Sequence, residues 1–161
     1  MAANAPAIDP KLDLVLTRVV DVPREALWRG WTQPDLLRQW FAPRPLTTTE
    51  CEIDLRPGGR FRTLMRSPEG EEYPGLGCYL ELVENRRIVF TDALGPGYRP
   101  TAKPFFTAII DFDDDPAGTK YTAVALHKDE AERRTHEEMG FHDGWGLCLD
   151  QLVELARRLP R

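Results

Sequence analysis

EEMGFHDGWGLCLDQLVELARRL, residues Glu137–Leu159, decides the reading of the fold, because it carries the one long apolar repeat of helical period in the chain. His142, Trp145, Leu149, Leu152, Val153 and Ala156 recur at helical spacing, which predicts that they share one face. Asp143, Asp150, Glu154, Arg157 and Arg158 fall opposite them, giving the helix a wet side and a dry side. The first half is less regular: Gly140, Gly144 and Gly146 each cost about 1 kcal/mol of helix propensity relative to Ala. Glycines there need another reason, either close approach of a neighbouring backbone or space left over a cavity. The segment reads as a loose, Trp-bearing lid continuous with a tight amphipathic anchor.

Upstream of it the pattern has mostly period two. Leu12–Val20 reads as a first strand. Asp21 is placed to cap a helix with Pro23 in its first turn, and Leu27, Trp28 and Trp31 mark the buried side of that helix. Thr32 and Asp35 resemble a capping box for a second short helix carrying Leu36, Leu37 and Trp40, which Pro43 and Pro45 end. Over 46–55, Thr47, Thr49, Cys51, Ile53 and Leu55 alternate with Thr48, Glu50, Glu52 and Asp54. Arg56-Pro57-Gly58-Gly59 then makes a tight hairpin connection, and Arg60–Arg66 sets Phe61, Thr63 and Met65 on one face.

Tyr73–Val83 is the next predicted strand, with Gly75 and Gly77 marking a bulge or bend, and Arg87–Thr91 is a short one. Phe105–Phe112 and Lys120–His127 flank a turn at Asp113–Gly118. Whether Phe105 or Phe106 points inward stays open, because both faces of that strand are apolar. Asp92–Pro104, DALGPGYRPTAKP, is longer than a hairpin needs and reads either as a binding loop or as a plain surface connection. The order β-α-α-β-β-β-β-β-β-α, with six consecutive strands, makes this an α+β domain whose curved sheet closes over the last helix.

Bulk properties narrow the functional classes. A chain of 161 residues fits one domain, expected over 12–159 behind a flexible tail at 1–11. A net charge of −5 and dispersed arginines argue against nucleic acid as a partner. Cys51, Cys78 and Cys148 are odd in number and widely spaced, so no disulfide framework or CxxC metal site is expected, which fits a reducing, cytoplasmic setting. No signal peptide or apolar run of about 18 residues is present, so neither secretion nor a membrane partner is expected.

Several ordered motifs carry a family resemblance. Thr17-Arg18-Val19 leads to Val22-Pro23-Arg24, then Leu27-Trp28-Arg29-Gly30-Trp31-Thr32-Gln33-Pro34 and Trp40-Phe41. Asp54-Leu55-Arg56-Pro57-Gly58-Gly59-Arg60-Phe61, Arg87-Ile88-Val89-Phe90-Thr91 and His142-Asp143-Gly144-Trp145 follow. Together they resemble the SRPBCC superfamily, of START/Bet v-like helix-grip fold. Within it, they resemble bacterial homologues of the heat-shock protein 90 ATPase activator C-terminal domain. The resemblance implies a helix-grip fold: a seven-stranded curved antiparallel sheet wrapped around a long C-terminal helix, two short helices between strands 1 and 2, and a deep, largely apolar cavity. It does not by itself transfer a function.

Within that frame, Trp40, Phe61, Met65, Tyr79, Phe90, Phe106, Met139, His142, Trp145 and Leu149 are the candidate ligand-binding residues. His142 is the one candidate for catalysis, as a general base or a hydrogen-bond partner of a ligand carbonyl, set against a purely structural histidine. Cys148 has no evident base partner, Gly58-Gly59 is a turn rather than a phosphate cradle, and Asp113-Asp114-Asp115 lacks calcium-loop spacing. Lys128–Glu138 reads as a solvent-facing helical turn, and HEEMGFH is not a zinc motif, so no metal and no cofactor are expected. Three functions compete. The first is binding of a small hydrophobic ligand of lipid, polyketide or aromatic class. The second is a cyclase- or hydrolase-type enzyme on such a ligand, using His142 with Tyr79 orienting. The third is a chaperone-associated interaction module of the heat-shock ATPase-activator type. Oligomeric state is left open between monomer and homodimer.

Overall fold

The computed structural model describes residues 7–160; of the expected tail, 1–6 lie outside the described residues. The rest of that tail closes a turn, in which the N–H groups of Leu12 and Asp13 both bond Asp9 O and the Asp13 carboxylate accepts Asp9 N–H. Strand β1 (Asp13–Val20) is followed by helices α1 (Arg24–Thr32) and α2 (Pro34–Leu37), then β2 (Thr47–Ile53), β3 (Arg60–Arg66), β4 (Glu72–Val83) and β5 (Arg87–Thr91). The long 92–104 connection folds on itself as β6 (Leu94–Gly95) and β7 (Arg99–Pro100). β8 (Thr107–Asp115), β9 (Gly118–Leu126), α3 (Glu130–Glu138) and α4 (Phe141–Arg158) complete the chain. No helix among the described residues is long and apolar enough to cross a membrane.

Seven strands form one antiparallel sheet in the order β1-β9-β8-β5-β4-β3-β2. Alternation along them puts Phe61, Tyr79, Ile88, Phe90, Ala108, Ile110, Phe112, Tyr121 and Ala123 into one core with Leu149, Leu152, Val153, Leu155 and Ala156 of α4. This is the helix-grip arrangement: a concave apolar sheet face closed by a single amphipathic helix. α1 flanks it so closely that a Cβ on Gly30 would lie 2.5 Å from Leu152 Cδ1.

Several local expectations change. Strand β2 does not alternate cleanly, because a bulge between Thr48 and Glu50 resets its phase. Thr48 is buried where Thr47 and Thr49 were expected, and Cys51 and Ile53 recover the inward face opposite Thr63 and Phe61. In β4 the irregularity falls between Tyr79 and Glu81, not at the glycines. Gly77 is small for another reason: a Cβ there would sit 2.5 Å from Thr91 O. The β8–β9 turn shrinks to Pro116-Ala117, with Asp115 Oδ1 accepting Ala117 N–H at 2.9 Å.

Neither expected N-terminal cap forms. Pro23 is the N-cap of α1, while Asp21 pairs with Arg157 at 2.8 Å. Thr32 Oγ1 donates to Trp28 O, and the N-cap of α2 is Gln33. On the outer face, Arg62 bridges Glu50 and Glu52, and Arg60 adds a second bond to Glu52 at 3.1 Å. The central grip depends on Leu152, which is fully buried. Leu152→Ala should therefore cost about 2–5 kcal/mol, read as a lower urea midpoint at unchanged slope.

Candidate functional site

The segment quoted at the outset is two helices rather than one. Gly140 adopts φ +95°, in the left-handed region that favours glycine, and ends the run of α3 before α4 starts at Phe141. α3 has its own N-cap, Asp129, whose carboxylate accepts Glu132 N–H at 2.8 Å. Its far end carries His136, 6% exposed, so 128–138 is not simply solvent-facing.

The break leaves a cavity of about 320 Å³ between the sheet and the first turns of α4. Leu16, Met65, Phe90, Phe106, Tyr121 and Ala123 line it from the sheet side, and Trp31, Trp40, Phe41 and Pro43 from the α1–β2 region. His136, Met139, Gly140, Phe141, Gly144, Trp145, Cys148 and Leu149 close it from α3 and α4.

Polar side chains behind the wall fix its shape. Asp92 Oδ1 accepts the N–H groups of Phe105 and Phe106 at 2.8 and 3.1 Å, which holds the chain where Phe106 enters the cavity and Phe105 packs against His136. The 92–104 loop, by contrast, contributes no lining residue. On the opposite side Gln151 Nε2 donates to Trp40 O and Ala42 O, and its Oε1 accepts Arg44 N–H. One buried amide thus shapes the segment that presents Trp40, Phe41 and Pro43. Trp40 Nε1–H donates to Gly30 O, and Trp31 Nε1–H to the Tyr121 hydroxyl.

Of the ten residues expected at the site, Trp40, Met65, Phe90, Phe106, Met139, Trp145 and Leu149 face this space. Phe61 and Tyr79 stack on each other at 5.2 Å behind Phe41 and Phe90, outside the lining. The Tyr79 hydroxyl is sealed there without a partner among the described residues, and burial, then nearby Cys51, pushes its pKa up.

His142 is not on the inner face. Its side chain is 55% exposed and its Nε2 lies 3.3 Å from Glu137 Oε2. At about 100° per residue, His142 sits at the margin of the arc through Phe141, Trp145, Leu149 and Leu152. Further along, at Val153, that margin is covered; at the first turn it is open.

The histidine that does reach the cavity is His136, which sequence spacing passed over. Its Nδ1 lies 2.8 Å from His127 Nε2, and His127 Nδ1 lies 2.7 Å from Leu12 O. A carbonyl only accepts, so His127 Nδ1 carries a proton; in the neutral pair His127 Nε2 then accepts and His136 Nδ1 donates. Phe105, Phe106, Phe141 and Trp145 surround the His136 ring at 4.8, 5.0, 5.3 and 5.7 Å. That burial, reinforced by His127, lowers its pKa from 6.5 to about 4. Burial also raises the Cys148 thiol to about 12 and shifts Tyr121 upward. Among the described residues the lining thus holds no Asp, Glu, Lys or Arg, and burial works against a thiolate at Cys148.

Residues 21–157 match the model of the family described as Activator of Hsp90 ATPase homolog 1-like protein. The chain belongs to that family. Among solved structures, a Nitrosomonas europaea protein is 46% identical, covering 94% of this chain and 97% of its own, with TM-score 0.91. A Rhodobacter sphaeroides protein is 17% identical over 96% of this chain and 99% of its own, with TM-score 0.82. A protein described as AHSA1-like, from Aeromonas hydrophila, is 20% identical over 91% and 92%, with TM-score 0.70. The last two show shared fold alone. None of the curated proteins compared with the chain matches it.

In this AHSA1-like chain the buried histidine pair sets an acid limit. His136 binds its proton less readily folded than unfolded, so its contribution to stability is complete above about pH 6.5 and falls as the pH drops toward 4. Between those values wild type should lose up to about 3 kcal/mol relative to His136→Phe, and the two should run parallel above pH 6.5. Urea midpoints measured across that range check it.

Proposed function

We propose that this chain holds a small, predominantly apolar molecule, of lipid, polyketide or aromatic class, in the cavity between sheet and α4. The observation that carries this is a lining of Trp, Phe, Leu and Met side chains with no charged group around about 320 Å³. That volume corresponds to roughly ten waters, whereas an apolar cavity of about 150 Å³ already stays dry and takes up benzene. Water would find few partners here; an apolar guest would recover both dispersion contacts and area removed from water. Met139, 70% exposed beside Gly140, stands at the mouth where such a guest would enter.

An enzymatic version of this reading, a cyclase or hydrolase on the same guest, would draw on His136 rather than on His142, which lies outside the cavity. The chaperone-associated reading draws on the family description and on no feature of the cavity.

Thermal-shift and native mass spectrometry screens against fatty alcohols and acids, flavonoids and aromatic polyketides test the proposal. A ligand at 100 times its Kd should add about 2.7 kcal/mol and raise Tm by several degrees. Retention of no class at all would overturn it. Gly144→Phe supplies a control, since a Cβ at Gly144 meets nothing within 4 Å. The variant should fold, and its larger side chain should reduce affinity for any ligand found, measured by titration.

A further inference from the structure

Among the polar side chains that line the cavity, His136, Tyr121 and Cys148, the histidine carries a ring nitrogen that the apolar reading leaves unused. His136 is 6% exposed and lines the space, and its Nδ1 is committed to His127. His127 is in turn committed to Leu12 O through Nδ1. In the neutral pair this chain of bonds leaves only one arrangement: His136 presents a bare Nε2 lone pair. That nitrogen has no hydrogen-bond partner among the described residues, and the ring that carries it lines the cavity. An acceptor so placed in an apolar chamber is satisfied only by a donor that the guest or a water brings.

We propose that His136 Nε2 is the polar anchor of the cavity and accepts a hydrogen bond from an O–H of the bound molecule, so that the ligand is a hydroxylated apolar compound, an alcohol or a phenol. His127 is a positioning residue: it holds the His136 tautomer with the lone pair inward. The inference rests on the hydrophobic-ligand reading above and sharpens it. It also sets carboxylates apart. Among the described residues no Lys or Arg lines the cavity, so an anionic oxygen at Nε2 would face a lone pair with no cation to compensate, and a fatty acid is a poorer guest there than the matching alcohol.

Three probes of one ring system test this: 2-naphthol, 2-methylnaphthalene and 2-naphthoate, titrated at pH 8 into wild type and His136→Phe. Wild type should bind the naphthol and methyl compounds and discriminate against the carboxylate. The ratio of the naphthol and methylnaphthalene dissociation constants should move by roughly fivefold against naphthol in His136→Phe. In 15N spectra of wild type, the His136 Nε2 resonance should shift on adding 2-naphthol and stay in place with 2-methylnaphthalene. Binding of both probes with an unchanged ratio and an unmoved Nε2 signal would overturn the anchor and leave the cavity reading standing. Failure of both probes to bind, beside a ligand retained in the wider screen, would overturn the anchor alone; retention of no class in that screen would overturn both. Should His136→Phe not fold, the 15N comparison on wild type decides alone.

Discussion

A seven-stranded sheet presents a concave apolar face far wider than one helix, and α4 is what closes it. At 18 residues, α4 is roughly 27 Å long. From Leu149 onward it meets the sheet and α1 closely enough that a Cβ on Gly30 would run into Leu152 Cδ1. Ahead of Leu149, glycines and a half-buried Trp145 cannot fill the same width. The cavity is the unfilled remainder of this mismatch between a broad curved surface and a narrow cover.

What bounds that remainder is mostly backbone, fixed by side chains that never touch it. Asp92 holds the start of β8 through two amides, and Gln151 holds 40–44 through three bonds. Buried polar groups with satisfied partners specify one geometry where apolar packing alone tolerates several. The walls are therefore stiff on two sides, and the α3–α4 junction at Met139–Gly140 is the part without such a bracket among the described residues.

Most of the architecture could be read from periodicity, because the strands other than β2 and β4 keep their phase and Arg60–Arg66 and Arg87–Thr91 are found as expected. β2 defeats the reading at one residue: a bulge at Thr49 is a two-against-one pairing that only the partner strand reveals. The site was legible where it consists of apolar residues on regular elements, as with Met65, Phe90, Trp145 and Leu149. It was illegible where a role depends on what lies across the fold. His142 has the better spacing on α4 but nothing above it. His136 sits in the charge-rich run Asp129–Glu138, and its importance comes from His127, nine residues away at the end of another element. Gly140 was visible as a helix cost, but its left-handed φ, which turns one predicted helix into two, is a tertiary fact.

The bulge and the Glu50–Arg62–Glu52–Arg60 ladder have a further effect, because β2 is an open edge of the sheet. An exposed edge strand offers unpaired N–H and C=O groups to any passing chain. Here that offer is short, kinked at Thr49 and fenced by alternating charge, features that disfavour a flat edge-to-edge ladder at β2. These features thus lie at the β2 rim of the sheet, away from the apolar interior that stays incompletely filled.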